Sequence, residues 1–192
     1  MTKVSFYLSY IKYMEGLNRK TLKLQKKVEE AFVSLVNEND LDDLSVAALC
    51  KKAKISRSAF YTHYRGVHDV MASIVASCFV FADRFTEPAS MAYFPLFRSI
   101  FTCFARRQAF LLGVSKDHNR VMFEKQLRIC LEPVLTKSLL FYRGNWLSIP
   151  LPFAIETLSC AFFGLLMEYV EDGFQKTPAQ LASYYTLIFE QK

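Results

Sequence analysis

SVAALCKKAKISRSAFYTHYRGVH, the stretch from Ser45 to His68, predicts two short helices joined by a tight turn. Ser45 and Ser56 precede these helices, and serine is a favoured N-cap because its side-chain oxygen accepts a hydrogen bond from a backbone N–H of the first turn. The second helix carries aromatic residues, a histidine and a following arginine. Two helices this close in the chain are typical of a helix-turn-helix, whose second helix enters the major groove of DNA.

Eleven polar side chains in and around these helices are candidates for contacts with DNA. Arg57 can donate to a guanine edge or to a phosphate, and Ser58 and Thr62 can form short hydrogen bonds. The candidate DNA-binding residues are Ser45, Lys51, Lys52, Lys54, Ser56, Arg57, Ser58, Tyr61, Thr62, His63 and Arg65. An ordinary helical hairpin with exposed polar residues has the same spacing, so spacing alone leaves both interpretations open.

The run from Leu44 to Tyr64 resembles the DNA-binding domain of the TetR/AcrR family of bacterial transcriptional regulators. That family has Thr or Ser before the second helix, an Ala-Gly-Val turn, and a third helix of the form Ser-x-x-x-[aromatic or Leu]-Tyr-x-His-[Phe/Tyr]. The positions that match in register are Ser45, Leu49, Ala53, Ile55, Ser56, Tyr61, His63 and Tyr64. The resemblance covers about residues 21–78 and is specific chiefly through the last four residues of the run.

Two positions depart from the family pattern. Lys54 stands where the family usually has Gly, and a left-handed turn there would cost a residue with a Cβ about 1 kcal/mol. We therefore expect an altered turn, with the lysine near a DNA phosphate. Val67 stands where the family has a Lys that meets a phosphate, so one backbone contact is expected to be lost, with His68 or Arg65 as candidate substitutes.

The composition favours an all-α fold. Of 192 residues, 52% are hydrophobic and only 6 are Gly and 6 are Pro, and apolar residues recur at helical spacing along most of the chain. We predict about nine helices and no strand. The predicted domains are an N-terminal extension (1–20), a three-helix helix-turn-helix domain (21–66) and a helical dimerisation and effector-binding domain (67–192), in which 67–86 is a connecting helix.

Positive charge is concentrated in the first third of the chain. Residues 1–66 contain 12 Lys and Arg against 7 Asp and Glu, a net charge of +5, whereas residues 67–192 contain 12 against 11. Phosphate binding requires such a distribution. A solvated lysine-rich helix face would give the same asymmetry, so the charge supports the helix-turn-helix interpretation only together with the motif.

The resemblance implies a homodimer, in which the last two helices pack against a second subunit as a four-helix bundle. Two recognition helices would then read two half-sites about 34 Å apart. Small residues in the first of these helices allow close helix approach, although packing within one chain would use the same side chains. The candidate dimer-interface residues are Ala154, Leu158, Ala161, Leu165, Tyr169, Leu181, Tyr184, Tyr185 and Ile188.

The resemblance also implies a small-molecule pocket in the C-terminal domain. The candidate pocket residues are Phe94, Phe97, Phe101, Phe104, Phe123, Phe141, Trp146 and Phe162. An aromatic stripe at helical spacing is more often solid core than pocket. Because few polar groups lie among these residues, a ligand would be an apolar or aromatic effector, and a protein partner could take its place.

Other kinds of site find little support in the sequence. The five cysteines, at positions 50, 78, 103, 130 and 160, are scattered singly, which favours reduced core thiols in a cytoplasmic protein over a metal site or disulfides. His63, His68 and His118 are not paired with a nucleophile motif, so we expect no catalytic residue and no cofactor. We find no run of about 18 apolar residues and expect no membrane span.

These observations predict a DNA-binding transcriptional regulator and not an enzyme. The expected protein is a homodimeric repressor that occupies a palindromic operator on double-stranded DNA and is released by an apolar small-molecule effector. The alternative is a protein-interaction module, or a co-regulator controlled by a protein partner, that has no small-molecule ligand.

Overall fold

The computed structural model describes residues 19–80, 82, 93–141 and 149–188. Within these ranges the chain forms nine α-helices, one 3₁₀ turn and no strand, which confirms the predicted all-α fold. The helices are α1 (Arg19–Glu38), α2 (Val46–Ala53), α3 (Arg57–Tyr61), α4 (Val67–Ser77), α5 (Tyr93–Ala105), α6 (Gln108–Val114), α7 (Asp117–Phe141), α8 (Leu151–Glu171) and α9 (Pro178–Thr186), and the 3₁₀ turn (Leu41–Asp43) lies between α1 and α2.

Several helix ends differ from the predicted ones. Helix α2 has the predicted bounds, but α3 ends at Tyr61 and not at Tyr64, because the next N–H groups bond to Phe60 in a tighter turn. Helix α4 ends at Ser77, well before residue 85. Helix α6 was not anticipated as a separate element. The predicted break at residues 87–88 and the loop at 142–145 lie outside the part of the chain that the structure describes.

The chain forms two compact units. The first contains the residues up to Ser77 and the segment Ala109–Gln126, and the second contains Cys78–Gln108 and the residues from Leu127 onward. Helix α4 and residues 109–126 therefore pack with the helix-turn-helix. The functional division predicted at residue 66 stays a prediction.

Aromatic rings and a close helix approach hold the first unit together. Phe110 of α6 lies between Phe32 of α1 and Phe123 of α7, with ring centroids 6.4 and 5.9 Å away. Gly113 makes room for this contact, since a Cβ there would lie 2.5 Å from Cγ1 of the buried Val36. Helix α6 can therefore approach α1 only with glycine at this position.

Asn119, which is fully buried, fastens the start of α7 to the turn before the helix-turn-helix. Its Oδ1 accepts a hydrogen bond from the N–H of Leu41 at 2.7 Å, and its Nδ2 donates to the carbonyl of Gly113 at 2.9 Å. The neighbouring His118 lies on the surface, with its side chain 81% exposed and Nδ1 3.8 Å from Oδ2 of Asp40. Asn119 thus positions the 3₁₀ turn that leads into Ser45.

The second unit has an aromatic core built from α5, α8 and α9. Phe101 stacks on Phe162 with ring centroids 4.5 Å apart, and Phe97 lies edge-on to Tyr185 at 4.4 Å. All four rings are fully buried. Offset and edge-to-face arrangements of this kind are favourable beyond the area that they bury.

The buried hydroxyl of Tyr185 makes the stability of this core depend on pH. The hydroxyl donates to the carbonyl of Leu158 at 3.0 Å, and burial raises the pKa of Tyr185 well above its ordinary value, which is about 10. Because the folded pKa lies above the unfolded pKa, the stabilisation is complete below about pH 10 and is lost as the pH rises beyond it. Tyr185→Phe should therefore unfold less steeply above pH 10, while losing about 1 kcal/mol of stability at pH 7. Chemical denaturation between pH 7 and 11 measures both effects, and parallel pH profiles for the two proteins would contradict the assignment.

Helix α8 differs from the sequence-based expectation about membrane spans. Its mean hydropathy reaches 1.5 over an 18-residue window, so by length and composition alone it could cross a membrane. In the structure, Leu158, Phe162 and Leu166 of this helix are buried inside the second unit. We therefore interpret α8 as a core helix, whose apolar composition follows from this packing.

The cysteines are all free thiols, but they are not all in the core. Cys50, Cys78 and Cys130 are buried as expected, and Cys103 is half-buried. Cys160 is exposed on α8, which corrects the prediction that all five are core residues. Its Sγ lies 3.2 Å from Nη2 of Arg128, which also pairs with Glu156.

Candidate nucleic-acid interface

The helix-turn-helix begins with a side-chain cap. The hydroxyl oxygen of Ser45 accepts a hydrogen bond from the N–H of Ala48 at 3.1 Å, as the sequence predicts for an N-cap. Leu49 and Ala53 face the core of the first unit and are buried. The rest of the surface of α2, including Lys51 and Lys52, is exposed. Burying one face and exposing the other presents α2 as a brace for the next helix.

The turn after α2 is left-handed, with Lys54 at φ 55° and ψ 49°. The N–H of Lys54 bonds to the carbonyl of Lys51, and the N–H of Ile55 bonds to the carbonyl of Cys50. This pair of bonds is the Schellman motif, which usually has glycine at the left-handed position. The expectation of an altered turn was therefore wrong, because the lysine adopts the glycine conformation.

Lys54→Gly should raise the free energy of unfolding by about 1 kcal/mol, since glycine adopts this conformation without Cβ strain. Urea denaturation of the two proteins tests this. Lys52→Gly is the control: it lies inside α2 with ordinary helical geometry and should lower stability by about 1 kcal/mol. A fall in stability for both variants would contradict the strain assigned to Lys54.

Helix α3 projects from a buried aromatic anchor. Ser56 caps it by accepting a hydrogen bond from the N–H of Ala59 at 3.1 Å. Phe60 is fully buried and contacts Tyr64, with ring centroids 5.3 Å apart. Tyr61 lies edge-on to Phe60 and is 58% exposed. The anchor thus fixes the direction in which Tyr61 leaves the surface.

The predicted DNA contacts lie together on the first unit. Ten of the eleven side chains are exposed, and His63 is half-buried. The Thr62 hydroxyl donates to the carbonyl of Ser58 at 3.0 Å, so in this conformation it can meet DNA only as an acceptor. The caps use the oxygens of Ser45 and Ser56 as acceptors, which leaves their hydroxyl protons to donate. Contact of these residues with DNA stays a prediction.

The residues considered as substitutes for the missing family lysine have other partners. Nε2 of His68 lies 3.1 Å from Oδ1 of Asp42. The backbone N–H of Arg65 bonds to Asp69 at 3.0 Å, and its side chain is exposed. Val67 is buried. Of these, only the Arg65 side chain is placed to offer positive charge at the surface.

Electrostatics around the turn favour an anion, not a metal. Burial raises the pKa of the Cys50 thiol, and the nearby Arg57 opposes the shift only in part. The thiol therefore stays protonated and does not offset the surrounding cations. Across the described ranges, His, Cys, Asp and Glu do not form a group of three or more that could hold a metal ion.

A family comparison fits this architecture. The profile of the family TetR_C_8, described as "Transcriptional regulator C-terminal region", matches residues 92–191, which is more than half of the chain. The chain belongs to the TetR family of transcriptional regulators. TetR-family regulators bind DNA and typically dimerise, and they are not enzymes.

Solved structures of other regulators share the fold of this TetR-family chain. A TetR transcriptional regulator from Streptococcus agalactiae 2603V has a TM-score of 0.59 at 22% identity, over 90% of this chain and 97% of that one. The fatty acid degradation regulator FadR from Bacillus halodurans has a TM-score of 0.60 at 12% identity, over 85% and 93%. The dihydroxyacetone kinase operon activator DhaS has a TM-score of 0.57 at 18% identity, over 86% and 93%. At these identities the likeness concerns the fold alone, and no curated protein sequence matches the chain.

The effector-pocket candidates are distributed over different parts of the TetR-family chain. Four are fully buried in the second unit, where Phe162 contacts the other three: Phe97, Phe101, Phe104 and Phe162. Phe94, at the start of α5, is 37% exposed, and Phe123 belongs to the first unit. The side chain of Phe141 and all of Trp146 lie outside the described residues.

The dimer candidates are divided between core and surface. Five are buried within the protomer: Ala154, Leu158, Tyr169, Leu181 and Tyr185. Ala161 and Leu165 are half-buried, and Tyr184 and Ile188 are exposed. Sequence reasoning missed Phe153 on α8 and Leu187 after α9, which are 67% and 57% exposed. Because α8 is apolar on most sides, the pattern could not distinguish its outer face from its inner one.

Proposed function

We propose that this TetR-family chain is a homodimeric repressor that binds a palindromic operator through α3. The observation that carries the proposal is the left-handed Schellman turn leading into α3, whose exposed Arg57 and Tyr61 surround the buried Phe60 anchor. A recognition helix needs such a rigid support, because base contacts require fixed side-chain positions. Exposed lysines beside it supply the charge that phosphate binding needs.

The exposed apolar surface of α8 and α9 supports dimerisation with a second copy. Phe153 and Gly164 lie on the outer face of α8, and open space surrounds the Cα of Gly164. Tyr184, Leu187 and Ile188 form an exposed apolar group at the end of α9. Large apolar side chains beside a glycine suit close packing of helices from two subunits.

We further propose that an apolar effector releases the repressor in the cytoplasm. The aromatic core of α5, α8 and α9 supports an apolar ligand over a polar one. The alternative is control by a protein partner, which is favoured by the close ring contacts of Phe162 with Phe101 and Phe104. One neighbour in fold is described as an activator, so the direction of regulation is part of the proposal.

Binding of the purified chain to DNA tests the proposal. The wild-type protein should enrich palindromic duplexes from a random-sequence library, with two chains bound per duplex and half-sites about 10 base pairs apart. Affinity for the enriched duplex should fall steeply with salt, whereas a scrambled duplex should bind weakly. Enrichment of no duplex would exclude sequence-specific binding by the chain alone and favour the interaction-module alternative.

Three variants separate base reading from backbone contact. Arg57→Ala should relax preference at one position, at a cost of about 1–3 kcal/mol on the preferred base. Tyr61→Ala should weaken binding to all sequences by about tenfold through loss of a phosphate contact. Arg98→Ala removes an exposed arginine of α5 and should change neither property. Equal effects of Arg98→Ala and Arg57→Ala would show only a general charge effect.

A further inference from the structure

A basic cleft lies in the first unit between α1 and the turn that ends α2. Its volume is about 290 Å³, and it is lined by Lys27, Glu30, Ala31, Lys52, Ala53 and Lys54. The two alanines are buried, whereas the three lysines and the glutamate are exposed. We call this feature the lysine cleft.

The lysine cleft has an excess of positive charge. Among the residues that the structure describes, Lys27, Lys52 and Lys54 form no ion pair. The carboxylate of Glu30 lies 3.9 Å from Nζ of Lys26, outside the cleft, so its charge is already shared. Three ammonium groups around one small cleft repel one another, and a bound anion would relieve that repulsion.

The backbone at Lys54 indicates that stability does not account for this residue. Lys54 occupies the left-handed conformation that glycine adopts without strain. Strain retained at a specific position points to a use for the side chain. At Lys54, the lysine provides a charged group at the mouth of the cleft.

The lysine cleft lies next to the proposed recognition helix. Lys54 precedes the N-cap Ser56 by two residues, and Arg57 follows at once. A duplex that meets the first residues of α3 has backbone phosphates along the edges of the groove, and cations beside a recognition helix commonly bind them. Lys27 belongs to α1, which the sequence-based contacts did not include.

We propose that the lysine cleft binds a phosphate of the DNA backbone, outside the base-reading positions of α3. The inference rests on the proposed DNA-binding function and extends the interface to α1. It predicts a contribution to affinity that depends on salt and is the same for every sequence.

Salt dependence of binding tests the lysine cleft. The probes are a duplex enriched by the wild-type chain and a scrambled duplex, titrated with KCl. The triple variant Lys27→Gln, Lys52→Gln, Lys54→Gln should lower the slope of log Kobs against log salt by about 0.9 for each phosphate released, hence about 1.8 for a dimer. The ratio of affinities for the two duplexes should not change. The control Lys125→Gln, Lys137→Gln, Lys176→Gln removes the same charge elsewhere and should keep the wild-type slope.

A single variant keeps the test valid should the triple variant fail to fold. Lys27→Gln leaves the helix-turn-helix sequence intact and should lower the slope, whereas Lys23→Gln, one turn earlier on α1, should not. An unchanged slope with normal duplex enrichment would overturn the inference and leave the proposed function standing, even if inorganic phosphate binds the cleft. An altered preferred sequence would overturn it too, since the cleft would then read bases. If the wild type enriches no duplex, the proposed function fails first and the inference fails with it.

Discussion

Replacing Phe101 by alanine should lower the free energy of unfolding by about 3–5 kcal/mol. Phe101 is fully buried, stacks on Phe162 and lies within 6.4 Å of the ring of Tyr185. Truncation removes these contacts and leaves a cavity that the surrounding rings cannot fill without leaving their rotamers. Urea denaturation at one fixed protein concentration measures the effect, because dimerisation would make apparent stability depend on concentration.

Phe94→Ala is the matched control, since both residues lie on α5 and belong to the same predicted aromatic stripe. Phe94 is 37% exposed, so its truncation should cost about 1 kcal/mol or less. The comparison also separates the two interpretations of the stripe. Equal losses below 1 kcal/mol for both variants would show that Phe101 lines a space and does not fill a core, and would favour the effector pocket.

Asn119→Ala should lower the free energy of unfolding by about 2–4 kcal/mol, because it leaves two buried backbone groups without partners. Those groups are the N–H of Leu41 and the carbonyl of Gly113, both bonded to the fully buried amide. The N–H of Leu41 should also exchange with solvent faster, since its bond to Asn119 is lost. Urea denaturation and amide hydrogen exchange measure the two effects.

His118→Ala, one residue earlier, provides the control for Asn119. The His118 side chain is 81% exposed and 3.8 Å from Asp40, so its loss should cost at most about 0.5 kcal/mol. Comparable losses for the two variants would mean that the start of α7 contributes generally and that the Asn119 amide has no special part. Unchanged protection of Leu41 in Asn119→Ala would contradict the assigned hydrogen bond.

Sequence reasoning was accurate where the determining contacts are short-range. Ser45, Ser56 and Thr177 all cap the helices that they were expected to start. Thr177 forms a full capping box with Gln180, so that two backbone donors of the first turn are satisfied within four residues. Such bonds depend on the identity and spacing of neighbouring residues, which the sequence states directly.

Sequence reasoning was less accurate about the outer and inner faces of apolar helices. Phe94 shares a stripe with Phe97 but is partly exposed, and Phe123 packs in the first unit while most of the other rings pack in the second. On α8, Leu158 is in the core and Phe153 is at the surface. Hydrophobic periodicity states that a helix has an apolar face but does not name the element that covers it.

The sequence by itself determined the helix-turn-helix, because its caps, its turn and the Phe60 anchor involve residues close together in the chain. Tertiary structure alone decided which apolar faces are covered and how the turn before α2 is held. The bond from Leu41 to Asn119 joins residues 78 positions apart. The lysine cleft likewise exists only because α1 passes beside the end of α2. Burial and charge clustering depend on which distant segments meet, and that is settled when the whole unit packs.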